Sequence, residues 1–66
     1  MKIVLYRDDS VSSEEAVLFL QELGVDFEDV DVRRPAGFER LMRRTQQRNV
    51  PAFELKRAHS VWSWQD

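Results

Sequence analysis

The sequence predicts a single α/β domain, spanning residues 1–66, with the element order βαβαββ: a four-stranded mixed sheet that carries two helices. Three observations predict it. An uninterrupted apolar run opens the chain, two stretches with helical spacing of apolar residues follow on either side of a strand-like segment, and two short apolar segments close the chain. A strand, a helix and a second strand joined by short loops favour a right-handed parallel crossover.

The first strand is predicted at Lys2 to Tyr6. Its Ile, Val and Leu residues show no polar alternation, which is typical of a strand buried on both faces. We therefore expect this strand to lie at the centre of the sheet.

The first helix is predicted from its capping signals. Ser12 and Glu15 have the spacing of a capping box, and Gly24 stands where a left-handed C-terminal cap is expected, so the helix should end near Leu23. Phe19 is placed on the flank of this helix. Its inward stripe is predicted to consist of Ala16, Val17, Leu20 and Leu23.

The second strand and the second helix follow. Val25 to Val32 alternates apolar and acidic residues with one irregular step, which indicates a strand near an edge of the sheet. Pro35 suits the first turn of a helix that fades near Gln46 or Gln47. The apolar side of this helix is predicted to hold Phe38, Leu41 and Met42, and the opposite side Arg40, Arg43 and Arg44.

The end of the chain predicts a hairpin of two further strands, Ala52 to Lys56 and Ser60 to Trp64. Trp62 and Trp64 are two residues apart, so a strand would place both on one face. Two interpretations stay open for this pair. The rings either cover bare sheet surface within the domain or form an interaction surface for a second copy, giving a homodimer, or for a partner protein.

Composition excludes several classes of function. The chain has no cysteine, so it cannot carry out thiol-disulfide exchange by itself. A structural zinc site would have to use the single histidine, His59, with carboxylates, which is a poor ligand set for a closed tetrahedral site. The longest apolar run, Ala16 to Leu20, is far shorter than the roughly 20 residues of a membrane span. We expect no metal, no membrane insertion and, by default, a cytoplasmic location.

Charge is unevenly distributed along the chain. Nine acidic residues stand against two basic ones up to Val32, whereas eight basic residues stand against two acidic ones from Arg33 to Arg57. The arginines of the second helix could form a patch for an anionic partner or nucleic acid, or a merely solvated face. No aromatic residues alternate with these arginines, which disfavours nucleic acid.

Three motifs, in this order, resemble the glutaredoxins and the related NrdH-redoxin group of the thioredoxin fold. Ser10-Val11-Ser12-Ser13 opens the first helix where the family has Cys-x-x-Cys. Gly24-Val25-Asp26-Phe27-Glu28 with Val30-Asp31-Val32 is similar to the Gly-Val-Asp-Tyr-Glu segment and the strand after it. Thr45-Gln46-Gln47-Arg48-Asn49-Val50-Pro51 is similar to the stretch Thr-Gly-Gln-Arg-Thr-Val-Pro, whose proline is cis in the family.

The sequence departs from the family at four places. Ser10 and Ser13 occupy both cysteine positions, and a serine hydroxyl neither ionises where a thiol would nor forms a mixed disulfide. Acidic residues crowd the start of the helix, where they would raise the pKa of a thiol. The last residues, 62–66, match the family's Gly-Gly-x-Asp turn only loosely. The final family helix is missing from the sequence.

The resemblance implies a ligand cleft. It implies that Val50, before Pro51, offers its backbone to a thiol-bearing peptide or to glutathione, with Gln47 and Arg48 near the glutathione groove. Arg7 would lie on the other side of this groove, and Asp66 in the loosely matching turn.

Two hypotheses about function follow from the resemblance. The first is a redox-silent binding or interaction module, not an enzyme and without a cofactor, in which the serines cap the helix. The second is a dithiol oxidoreductase, linked to glutathione or a thioredoxin reductase, whose two active-site cysteines have been replaced by serine.

Overall fold

The computed structural model describes residues 2–56 and 60–63, the last four by their backbone alone. The elements are β1 (Ile3–Arg7), α1 (Val11–Leu23), β2 (Phe27–Asp31), α2 (Pro35–Thr45), β3 (Ala52–Leu55) and β4 (Ser60–Ser63). They form one sheet with the strand order β2-β1-β3-β4. The order βαβαββ is the one predicted from the sequence.

The register of the sheet fixes which strand ends meet. β1 runs parallel to β2, with Ile3 opposite Phe27, and antiparallel to β3, with Tyr6 opposite Ala52. β4 pairs antiparallel with β3. β1 is therefore an inner strand and β2 an edge strand, as the sequence predicted for both.

The sheet separates two apolar clusters, one under each helix. The cluster on the α1 side consists of Leu5, Ala16, Leu20 and Phe53. The cluster on the α2 side consists of Val4, Tyr6, Val30, Leu41 and Ala52. Successive residues of β1 enter opposite clusters because side chains alternate along a strand. Three consecutive residues of β1, Val4 to Tyr6, are accordingly fully buried.

The start of α1 differs from the predicted capping box. Ser10, not Ser12, is the N-cap: its backbone is extended and its hydroxyl accepts a hydrogen bond from the Ser13 amide at 3.2 Å. The predicted C-terminal cap is confirmed, because Gly24 is left-handed with φ of 70°. Glycine adopts that conformation without the penalty that a Cβ imposes.

The predicted inward position of Leu23 is wrong, since its side chain is 57% exposed. The sheet-facing line of α1 runs through Ser13, Ala16 and Leu20, which are buried. Leu23 is the last residue of α1, and the chain leaves the helix directly after it at the left-handed Gly24.

α2 begins with Pro35 in its first turn, as predicted, and ends at Thr45. The predicted inward position of Phe38 is wrong, because Phe38 is 41% exposed. The buried line of α2 runs instead through Gly37 and Leu41. Gly37 lets the helix approach the backbone of Asp31 closely, and Phe38 is rotated about 100° away from that contact.

A polar network joins α2 to the sheet. The Tyr6 hydroxyl donates to Glu54 Oε1 at 2.7 Å, and Arg44 Nε donates to Glu54 Oε2 at 3.1 Å. Arg40 pairs with both carboxylate oxygens of Glu28, and its guanidinium carbon lies 5.9 Å from the centre of the Tyr6 ring. The interpretation of this helix side as merely solvated is therefore wrong for Arg40 and Arg44.

The titration of Tyr6, the single tyrosine of the chain, tests this network. Burial, then the hydrogen bond and the charge of Glu54, raise the pKa of Tyr6 from 10.0 to about 12. The folded state favours the neutral phenol, so its contribution to stability is complete below pH 10 and is lost as the pH rises to about 12. We expect the ultraviolet absorbance of ionised tyrosine to appear late and together with unfolding. Ionisation near pH 10 in protein that is still folded would contradict this burial.

Candidate functional site

The candidate site lies at the carboxyl end of β1, where the start of α1 and the loop before β3 come together. Asp8 and Ser10 follow β1 directly and lead into α1. Pro51 immediately precedes Ala52, which pairs with Tyr6, so the register places Pro51 beside the last residue of β1. The Val50–Pro51 peptide bond is cis, as the resemblance implies.

A closed set of hydrogen bonds holds the two serines. Asp8 Oδ1 accepts from the Ser10 amide at 2.9 Å and from the Ser13 hydroxyl at 2.8 Å. The Ser13 hydroxyl in turn accepts from the Asp8 amide at 3.1 Å, and Ser13 is completely buried. Both hydroxyls thus serve the turn and the cap. Hydrogen bonds from Ser10, and then from Ser13, hold the pKa of Asp8 below its usual value, so this carboxylate is a weak base.

Removing either hydroxyl tests this assignment. Ser10→Ala should lower the free energy of unfolding by about 1 kcal/mol, the usual cost of losing an N-cap. Ser13→Ala should lower it by about 2 kcal/mol, because the Asp8 amide and carboxylate both lose a buried partner. Urea unfolding measures both changes, with Ser10→Asn as the control that restores the cap. Equal stability of Ser10→Ala and the parent would contradict the capping role.

The surroundings of the serines are acidic. Glu14 and Glu15 in the first turns of α1 are exposed, and so is Asp9, which pairs with Arg33 at 3.4 Å. A helix N-terminus favours a negative charge, but these carboxylates already supply several. The environment does not favour a further anion at Ser10.

Arg7, which the resemblance placed beside the groove, is engaged elsewhere. Its guanidinium donates to both carboxylate oxygens of Asp29, at 2.7 and 3.0 Å. This hydrogen-bonded pairing raises the pKa of Arg7. Asp29 belongs to β2, on the side of β1 opposite to β3. The structure therefore does not bring the Arg7 charge to the loop that contains Val50.

The loop between α2 and β3 holds the other predicted residues. Gln47 Oε1 accepts a hydrogen bond from the Asn49 amide at 2.8 Å, so this side chain stabilises the loop by an internal hydrogen bond. Arg48 is exposed, and Pro51 is buried. The Val50 side chain is half-buried and packs on the cluster beneath α2.

The main-chain groups of Val50 are not used within the loop. Within residues 2–56 and 60–63, neither its N–H nor its C=O makes a hydrogen bond. The residues predicted at the far side of the cleft, Trp64 and Asp66, and the side chain of Trp62 lie outside the described part of the chain.

A cleft of about 330 Å³ lies between α1 and β2 and was not predicted from the sequence. It is lined by Arg7, Asp8, Glu14, Val17, Leu18 and Asp29. No motif marks it, because it arises from the distance between a helix and an edge strand. In the sequence, the one feature related to this cleft is the four-residue spacing of Glu14 and Leu18, which places both on one side of α1.

The arginines after β2 are mostly neutralised. Arg33 pairs with Asp31 at 2.9 Å, and Arg43 with Glu39 at 3.7 Å, in addition to the two pairs that join α2 to the sheet. Among the described residues, ion pairs are absent only from Arg34 and Arg48 in this part of the chain. The basic patch is weaker than its sequence indicates.

No helix in the described ranges has the length and apolar character that crossing a lipid bilayer requires.

Comparisons with known proteins establish the fold. No family model matches the chain, and no curated protein matches it. Two solved structures do: the thioredoxin-like protein BC3987 and a threonine-to-alanine variant of it. Each superposes with a TM-score of 0.81 at 22% identity, over 94% of this chain and 85% or 84% of the other. The chain therefore has a thioredoxin-like fold.

Proposed function

We propose that this chain is a glutaredoxin-like binding module, redox-silent, which docks glutathione or an extended thiol-bearing peptide or protein segment at the loop before β3. The proposal rests on a contrast between the two serines and Val50, which belong to the same site. The serine hydroxyls are used inside the protein, whereas the backbone of Val50 has no partner within the described residues.

Redox silence is supported by the chemistry of the residues present. Disulfide exchange needs a thiolate that attacks sulfur, and the chain contains no cysteine. Ser10 and Ser13 replace that chemistry with a helix cap and a buried turn. The residues at the two positions where the family has reactive cysteines therefore stabilise the start of α1.

Ligand docking is supported by the geometry of the loop. Unpaired backbone groups beside a sheet recruit an extended peptide through main-chain hydrogen bonds, which depend little on its sequence. The Val50 side chain packs on the apolar cluster, so its amide and carbonyl are held in place. Little conformational entropy remains to be lost when a ligand binds there.

An amide chemical-shift titration tests the proposal. Glutathione should shift the signals of Val50 and Gln47, and S-methylglutathione should shift the same signals, because no thiol chemistry takes part. The amide of Glu22, which is exposed in the last turn of α1 at the far end of the helix from Ser10, serves as the internal control. A flat titration with glutathione and with a blocked extended peptide would reject docking at this loop. Sedimentation at several concentrations would then test self-association.

A second candidate function is supported by the burial of the two serines. Ser10 is exposed, and Ser13 is buried three residues later, an arrangement that suits an attacking thiol and its resolving partner. The chain would then be a dithiol oxidoreductase with both cysteines replaced. The double change Ser10→Cys and Ser13→Cys should in that case give disulfide reductase activity with glutathione or a thioredoxin-reductase-like donor. A double variant that forms the disulfide without turning over would reject this candidate.

A further inference from the structure

Thr45, the last residue of α2, lies where the helix passes into the loop before β3. Its hydroxyl donates to the Leu41 carbonyl at 2.7 Å and lies 3.2 Å from the Gln47 carbonyl. The single proton is therefore shared between an acceptor in the helix and an acceptor in the loop. Thr45 is half-buried, which shields this arrangement from water.

The helical side of this connection is fixed. Leu41 is 1% exposed in the cluster beneath α2, and Arg44 is tied to the buried Glu54 of β3. The last turn of α2 therefore cannot move without breaking these contacts. It provides a rigid base from which the Thr45 hydroxyl reaches the loop.

The loop itself is held by a short series of local bonds. Gln46 takes the left-handed conformation with φ of 56° and returns its amide to the Met42 carbonyl at 2.9 Å. Gln47 then uses its side chain to accept from the Asn49 amide. The Thr45 hydroxyl adds to this series a contact with the Gln47 carbonyl, from which the chain continues to Val50.

We infer that Thr45 is a positioning residue: its hydroxyl fixes the conformation in which the loop presents the Val50 backbone to a ligand. The inference rests on the proposed function for the identity of that ligand. The ordering of the loop, however, is a property of the free protein. It can be measured without any ligand.

Amide hydrogen exchange tests the ordering directly. Thr45→Val removes the hydroxyl at nearly constant shape, Thr45→Ala removes it with a smaller side chain, and Thr45→Ser retains it. Exchange of the Asn49 amide should rise roughly fivefold to tenfold in the first two variants, the effect of losing one hydrogen bond, and should stay near the parent value in Thr45→Ser. The Leu5 amide in the sheet reports global opening, and rates are compared relative to it. Equal relative exchange in all three variants would overturn the inference.

Ligand binding supplies the second readout, with glutathione as the probe. If the parent protein binds, Thr45→Val and Thr45→Ala should bind roughly tenfold more weakly and Thr45→Ser about as well as the parent. Equal affinity of all variants would overturn the positioning role and leave the proposed function standing. A parent protein that binds neither glutathione nor a blocked extended peptide would reject the proposed function, and the exchange comparison would still decide whether Thr45 orders the loop.

Discussion

Replacing Gly37 with alanine should lower the free energy of unfolding by about 3 kcal/mol. In an ordinary helix interior the same change stabilises by about 1 kcal/mol, because alanine has the higher helix propensity. Here the added Cβ would collide with the backbone carbonyl of Asp31 and would press on the Val30 side chain at 3.4 Å. Backbone atoms cannot rotate away, so α2 would have to shift off β2, which costs as much as a badly overpacked core.

Gly24→Ala separates this steric effect from the loss of glycine freedom. No atom lies within 4 Å of a Cβ at Gly24, but its φ is +70°. Only the left-handed backbone is then penalised, at about 1 to 2 kcal/mol. Urea unfolding followed by circular dichroism measures both variants. A Gly37→Ala protein that is as stable as the parent would show that α2 does not lie against Asp31.

Arg44→Met should lower the free energy of unfolding by about 2 to 3 kcal/mol. The Glu54 carboxylate is 4% exposed and, among the described residues, would keep the Tyr6 hydroxyl as its one remaining partner. An uncompensated buried charge typically costs 3–5 kcal/mol. The cost here should fall at or below the lower end of that range, because the Arg44 side chain is 43% exposed and the pair is partly screened by solvent.

Arg43→Met is the matched control for this change. Arg43 neighbours Arg44 in the sequence, but its pair with Glu39 is exposed on both sides, so its loss should cost no more than about 0.5 kcal/mol. Adding Glu54→Gln to Arg44→Met should recover most of the lost stability, since a neutral amide can still accept from Tyr6. Equal effects of the Arg43 and Arg44 changes would mean that the Glu54 pair contributes nothing specific.

The order of the helices and strands, and most of their ends, could be predicted from local sequence patterns. The apolar run of β1, the left-handed position at Gly24 and the proline at the start of α2 each act through a few neighbouring residues. Ser10 was harder to identify as the cap. Two serines compete for that position, and the choice depends on the turn that Asp8 makes with its own carboxylate.

The partners of the charged residues could not be predicted in the same way. The sequence places Arg40 and Arg44 on one polar side of a helix. No local sequence pattern shows that Glu28 and Glu54 lie on the sheet beneath them. Their pairing depends on the register of strands that are far apart in the chain. The same holds for Arg7: the resemblance placed it beside the glutathione groove, and only the fold shows that Asp29 of β2 lies next to it.

We expect the loop before β3 to bind ligands through the backbone of Val50, although the chain has no cysteine for redox chemistry. Calorimetric titration with a blocked extended peptide and with its counterpart N-methylated at the residue facing Val50 tests it most directly. We expect measurable binding of the first peptide and roughly tenfold weaker binding of the second, since one main-chain hydrogen bond is removed. Equal affinity for the two peptides, or binding that survives only with a free thiol, would contradict it.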